Sequence, residues 1–114
     1  MPADGFVAVL VIELHFPDAG SLKAKRRELS ALKAGLHGRF GAAVAETAHQ
    51  DLWQRSTVVA ALAAGSLQVL AETVDAVERW LDARSPAGVH VERLVASVSD
   101  LEDLISARRA ARGG

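Results

Sequence analysis

FVAVLVIELHF, at residues 6 to 16, is the strongest structural signal in this chain. Its β-branched and aliphatic residues favour a strand, and both of its alternating sets of side chains are apolar as far as Glu13. A strand that is apolar on both faces lies inside a sheet, or has a second face that meets a partner. We therefore expect a central strand here.

A helix and two more strands follow. Ser21 is a suitable N-cap for a helix that runs to about Phe40, and Gly38 and Gly41 are expected to end this helix. Residues 41 to 48 and 57 to 64 have strand patterns. The connection between these two strands is rich in polar side chains.

The second half of the chain adds another helix, another strand and a tail. Ser66 precedes a helix whose apolar residues lie three and four apart, and Pro86 marks its end. Valines at 89, 91 and 95 indicate a fourth strand. A capping box, Ser-Asp-Leu-Glu, then opens a short tail helix. We expect one domain at residues 1–98 and a partly disordered tail helix at residues 99–114.

The order β-α-β-β-α-β predicts an α/β (α+β) protein with a ferredoxin-like sandwich. With right-handed crossovers, four antiparallel strands take the order 4-1-3-2, and both helices lie on one face of the sheet. The other face is then open, and its central strands present apolar or small side chains. Because large open apolar faces mark interfaces, we expect a homo-oligomer that associates through this face.

Composition excludes several classes of protein. The chain has 114 residues, of which 50% are hydrophobic and 24% charged, as in one globular domain. The absence of cysteine excludes disulfides and thiolate metal sites, and favours a reducing compartment. No apolar run approaches a bilayer span, and the first residues lack the positive region of a signal peptide. We expect a cytoplasmic protein without a membrane segment.

The predicted topology gathers the unusual polar residues at one end of the sheet, which we call the pole. The first strand ends there, the first helix begins there, and the connection between the second and third strands returns there. The pole comprises Glu13, His15, Lys23, Lys25, Arg26, Arg27, Glu46, His49, Gln50, Asp51, Trp53, Gln54 and Arg55.

The first helix is basic where helices favour acids. Residues 21 to 40 contain six basic side chains and one acid, and four of the six lie in the first two turns. The helix macrodipole favours acids there by roughly 0.3 to 1 kcal/mol each. Binding of phosphate or a nucleic-acid backbone would account for the cations, and a solvated face paired with nearby carboxylates is the alternative. The candidate phosphate contacts are Lys23, Arg26, Arg27 and Arg55.

Lys25 differs from its basic neighbours. A helical wheel places it on the apolar side of the helix, so its side chain should point inward. A buried lysine needs a partner, and either Glu46 or Asp51 can supply a carboxylate. We expect a structural ion pair, with direct contact to a ligand as the alternative.

The sequence contains no established catalytic motif. His15, Glu46, His49 and Asp51 carry groups that can ligate zinc or transfer protons, but their spacing matches no metal motif. Trp53 either stacks on a base or anchors its loop on the core. We predict no catalytic residue, no metal and no cofactor.

Two motifs carry a family resemblance. The first combines LHFP at residues 14 to 17 with SLKAKR at 21 to 26, and the second combines Glu46 with HQDLWQR at 49 to 55. In these motifs the chain resembles the YlxP-like family, a bacterial domain of unknown function, over roughly residues 6 to 95. The resemblance implies a ferredoxin-like fold and genes near those of translation initiation and ribosome maturation factors. It implies no established activity.

Three functional hypotheses follow. The first is a non-catalytic module that binds RNA or the ribosome through the basic residues of the pole, while Lys25, Glu46 and Asp51 hold the pole together. The second is a small-anion site or an enzyme that uses His15 or His49 as its acid-base group. A deep pocket enclosing both histidines and Lys25 would favour this hypothesis, and a filled, flat pole would count against it. The third is a purely structural homo-oligomer or a regulator.

Overall fold

The computed structural model describes residues 4–85 and 87–113. The first three residues, Pro86 and Gly114, on which some of the expectations above rest, lie outside the described residues. Along the described chain the elements are β1 (Phe6–His15), α1 (Leu22–Phe40), β2 (Ala43–Ala48), β3 (Arg55–Ala64), α2 (Leu67–Arg84), β4 (Val89–Ser97) and α3 (Val98–Gly113).

The four strands form one antiparallel sheet in the order β2-β3-β1-β4. Counted from the β4 edge this is the order 4-1-3-2, so the predicted ferredoxin-like α+β fold is confirmed. β1 is a central strand, as its two apolar faces predict, and it pairs with β3 and β4 along almost its whole length.

The two faces of β1 have different surroundings. Its inward set of alternate residues is buried in a core shared with the apolar sides of α1 and α2, which therefore lie on the same face of the sheet. The outward set, from Val7 to Glu13, is only half-buried, and no element of the described residues covers it. The sheet therefore has the open face that the sequence predicts.

Serine side chains begin both long helices at the predicted positions. Ser21 Oγ accepts a hydrogen bond from the N–H of Ala24 at 3.1 Å, and Ser66 Oγ accepts one from Val69 at the same distance. Gly41 ends α1 with a φ of 69°, a left-handed conformation that favours glycine, whereas Gly38 lies within the helix and does not end it.

A glycine sets the distance between α1 and α2. A Cβ atom built on Gly35 would lie 2.5 Å from the indole ring of Trp80, so the two helices approach closely only because this side chain is missing. Trp80 also meets Phe40 edge to face, with ring centroids 6.0 Å apart, and the guanidinium of Arg84 lies 4.7 Å from its centroid.

The tail helix begins differently from the prediction. α3 starts at Val98, directly after β4, and Ser97 Oγ accepts a hydrogen bond from the N–H of Asp100 at 3.0 Å. The N-cap is therefore Ser97 and not Ser99. The physical reason is a contact distant in sequence. The N–H of Val98 donates to the carbonyl of Gly5 at 2.8 Å and fixes the end of β4 at Ser97.

In the described part of the chain, no helix combines the length and the apolar character needed to cross a bilayer.

Candidate functional site

The pole exists as a physical unit at the end where β1 stops. The N–H of Phe16 donates to the carbonyl of Gln54 at 2.8 Å, and the Gln54 side chain donates to the carbonyl of Pro17 at 3.3 Å. His15 pairs with Arg55 in the sheet register. The loop after β1 and the loop before β3 are therefore tied together beside the start of α1.

Lys25 lies at the centre of this unit and is completely buried, with 0% exposure. Its Nζ donates to the carbonyls of His49 at 2.6 Å and Gln50 at 3.3 Å, and lies 3.1 Å from Glu46 Oε2. These three acceptors match the three donors of an ammonium group. The predicted ion pair is thus confirmed with Glu46 as the partner, whereas Asp51 is exposed and makes no ion pair within the described residues.

Lys25 also shapes the backbone of the loop that follows β2. His49 has a φ of 62°, in the left-handed region that non-glycine residues rarely adopt. The carbonyl of His49 accepts from both Lys25 Nζ and the N–H of Leu52, the latter at 3.1 Å. The hydrogen bond from the buried ammonium group of Lys25 therefore stabilises the strained backbone at His49.

Glu46 is held as a carboxylate. Ser56 Oγ donates to its Oε2 at 2.6 Å, and the Glu46 side chain is only 17% exposed. Burial acts to raise the pKa of Glu46, but the hydrogen bonds from Ser56 and Lys25 and the positive charges of Lys25 and Lys33 outweigh burial and lower this pKa. Sequence reasoning missed Ser56, although Ser56 belongs to the same alternate, inward-facing set of β3 residues as Val58 and Ala60.

The predicted phosphate contacts are exposed and lack carboxylate partners. Lys23, Arg26 and Arg27 project from the first two turns of α1, and Arg55 begins β3. Within the described residues, none of these four has a carboxylate oxygen within 4.0 Å, and the first turn of α1 contains no acid. The alternative of a basic face neutralised by nearby carboxylates therefore does not describe this surface.

Trp53 does not anchor its loop on the core, so that interpretation is wrong. Its exposure is 52%, and that of Leu52 is 46%. The loop is held instead by Lys25 and by backbone hydrogen bonds, which leaves both apolar side chains in solvent. Residues 51 to 55 line an open depression of about 510 Å³.

Neither of the two pockets described at the pole encloses both histidines together with Lys25. His15 lines a separate cleft of about 310 Å³ between the loop after β1 and the C-terminal end of α2, together with Asp18, Glu28 and Arg84. Neither His49 nor Lys25 lines this cleft or the depression at residues 51 to 55. Among the described residues, no three histidine or acidic side chains are grouped so as to hold a metal ion.

A second ionic cluster lies away from the pole and was not predicted. Arg93 of β4 donates to Asp75 at 2.6 Å and to Glu78 at 2.5 Å, both on α2. These hydrogen bonds raise the pKa of Arg93 further. The signal was present in the sequence, since Arg93 follows Val89 and Val91 at an alternate position that faces the helices.

Comparison with known proteins places this ferredoxin-like chain in a family. Residues 7–94 match the family model described as protein of unknown function DUF503, and the chain belongs to that family. The predicted resemblance is therefore confirmed.

One curated relative and one solved structure are also similar to this chain. The chain is 36% identical over 52 residues to the uncharacterized protein YlxP of Bacillus subtilis (strain 168), an alignment that covers 45% of this chain and 56% of the relative. The chain thus aligns with just over half the length of that relative. The de novo designed protein Foldit4 is similar in fold alone, with a TM-score of 0.52 and 11% identity over 81% of this chain and 96% of the other.

Proposed function

We propose that the protein is a non-catalytic binding module that contacts RNA through the pole and acts in translation or ribosome maturation. The observation that carries this proposal is the group of four exposed cations without carboxylate partners, Lys23, Arg26, Arg27 and Arg55. Phosphate oxygens supply the missing acceptors, and the free N–H groups in the first turn of α1 favour the same charge.

The exposed loop supports the choice of RNA over a free anion. Trp53 offers an aromatic ring beside Arg55, and an unpaired base can stack on such a ring. Lys25 and Glu46 act below this surface, where they fix the loop before any ligand arrives. Binding then requires little ordering of the protein, which favours affinity.

The charge of the whole chain limits how this binding works. The formal net charge is -1, so attraction to RNA arises from the pole and not from the molecule as a whole. The strands also lack the row of aromatic residues that RNA-recognition motifs use for stacking. We therefore propose recognition of phosphates by the pole, with affinity that falls steeply as salt rises. The gene setting implied by the family resemblance favours ribosomal RNA as the partner.

Co-sedimentation with ribosomal particles at low salt tests this function. We expect the full-length protein to sediment with the particles, and the triple charge reversal Lys23→Glu, Arg26→Glu and Arg27→Glu to abolish sedimentation. Single reversals are compared with Arg79→Glu, which changes the same charge on an exposed position of α2 and should have little effect. Unchanged sedimentation of the triple variant would refute the proposal.

We also propose that the protein is a homodimer that associates through the open sheet face. The central strands present Val7, Val9, Val11 and Val59 there, flanked by small alanines of β2 and β3. Solvent contact with such a face is unfavourable, and a second copy removes it. Light scattering at micromolar concentration should give twice the chain mass, and a strictly monomeric mass would contradict this proposal.

A further inference from the structure

The first half of α3 presents an apolar side that is exposed to solvent, although Val98 at its start lies against Gly5. Val98, Leu101 and Ile105 lie on one side of the helix, and Arg108 and Arg112 continue the same side, since these positions recur at three and four residues. Every described residue of α3 is exposed. The longest dimension of the molecule is 52 Å, whereas ten-residue strands measure about 33 Å, so α3 extends beyond the sheet.

Along the open face of the sheet, apolar rows come first and charged rows follow, as apolar residues are followed by charged residues along α3. The strand register arranges its side chains in rows across the sheet, starting at the end where α3 begins. The first two rows are apolar, the third ends in Glu92, and the fourth contains Glu13 beside Thr57 and His90. The apolar rows consist of Ala63, Val7 and Ala96, followed by Ala43, Ala61, Val9 and Leu94.

The distance between the apolar start and the charged residues is similar on α3 and on the open sheet face. Along the helix, Arg108 and Arg112 lie about 15 Å and 21 Å from Val98. Along the sheet, the rows of Glu92 and Glu13 lie about 13 Å and 20 Å from the first apolar row. An antiparallel or shifted placement would set the arginines against apolar rows. Arg55 follows in a fifth row at about 26 Å, beyond the reach of Arg112.

We propose that α3 of one copy lies on the open sheet face of a second copy, reciprocally, with its arginines against Glu92 and Glu13 of that copy. The inference rests on the proposed homodimer and names the element that covers the face. A two-fold axis makes the contact reciprocal. The axis also accounts for the direction of α3. Because α3 follows β4, and β4 is antiparallel to β1, the two-fold axis allows α3 of one copy to run parallel to β1 of the other copy.

Cross-linking between two single-cysteine variants tests the arrangement, and the natural chain contributes no cysteine of its own. Ile105→Cys lies on α3 and Ala61→Cys on the open face. Both replace exposed residues, so neither should prevent folding. The two full-length variants, carrying tags of different mass, are mixed, re-equilibrated and treated with a short bis-maleimide. Ala34→Cys, on the exposed side of α1, replaces Ala61→Cys in the control.

We expect a mixed adduct between the Ile105→Cys and Ala61→Cys copies, and at least tenfold less with Ala34→Cys. Charge reversal at Arg108 should weaken the dimer, and Glu92→Arg in the same chain should restore it. A dimer that links only Ala61→Cys to Ala61→Cys would overturn this inference and leave the homodimer standing, because the sheets would then face each other directly. A third variant carries both cysteines in one chain, and cross-linking within that single chain would also overturn the inference. A monomeric protein would overturn both the inference and the proposed homodimer.

Discussion

Replacing Lys25 by methionine removes the ammonium group from the pole while keeping the length and most of the volume of the side chain. The lysine is fully buried and satisfies three acceptors, on Glu46, His49 and Gln50. Breaking a buried ion pair by removing one partner costs about 3 to 5 kcal/mol. Glu46 retains its bond from Ser56 and some contact with solvent, so we expect the lower end of this range, about 3 kcal/mol.

Urea unfolding followed by circular dichroism measures this loss. Lys23→Met is the matched control, because it makes the same chemical change two residues away on an exposed position, and it should stay within about 0.5 kcal/mol of the natural protein. In the double variant Lys25→Met with Glu46→Leu, the uncompensated carboxylate is gone. The losses should therefore be non-additive by about 1 to 3 kcal/mol. Equal stability of Lys25→Met and Lys23→Met would refute the reasoning.

Three further results follow from the same contacts. Folding lowers the pKa of Glu46, so this carboxylate stabilises the protein at pH values above its ordinary pKa of 4.5, and the stabilisation is lost as pH falls below that value. Below that value the free energy of unfolding should therefore decline more steeply in the natural protein than in Lys25→Met. Gly35→Ala should cost about 1 to 3 kcal/mol in thermal or urea unfolding, whereas Gly38→Ala, with nothing within 4 Å of its Cβ, should be neutral or stabilising by up to about 1 kcal/mol. Trp53→Ala should weaken RNA binding by about 1 to 3 kcal/mol in anisotropy titrations while leaving the unfolding midpoint unchanged.

Much of the fold follows from local patterns that tertiary contacts do not override. The doubly apolar β1, the serine caps at Ser21 and Ser66 and the glycine at the end of α1 all occur as predicted. Lys25 could also be placed, because its position on the helical wheel is a local property. Its partner could not be chosen between two carboxylates, since that choice depends on the path of the loop after β2.

The errors arise where a distant contact decides the outcome. Ser99 has a capping-box pattern, but α3 begins directly after β4, where Val98 bonds to Gly5, and the cap is therefore Ser97, two residues earlier. Trp53 resembles a core residue by type, yet the buried lysine already holds its loop. The alternation with Val89 and Val91 indicates the face of β4 on which Arg93 lies, but its partners could not be named, because they lie on α2 and depend on the sheet register.

The salt dependence of binding to purified ribosomal particles tests the central claim most directly. Four phosphate contacts predict a slope of the logarithm of the association constant against the logarithm of salt concentration of about -3 to -4. The triple reversal of Lys23, Arg26 and Arg27 should reduce the magnitude of this slope to about 1 or less. Equal slopes for the natural protein and the triple variant, or no binding of the natural protein at low salt, would contradict the account.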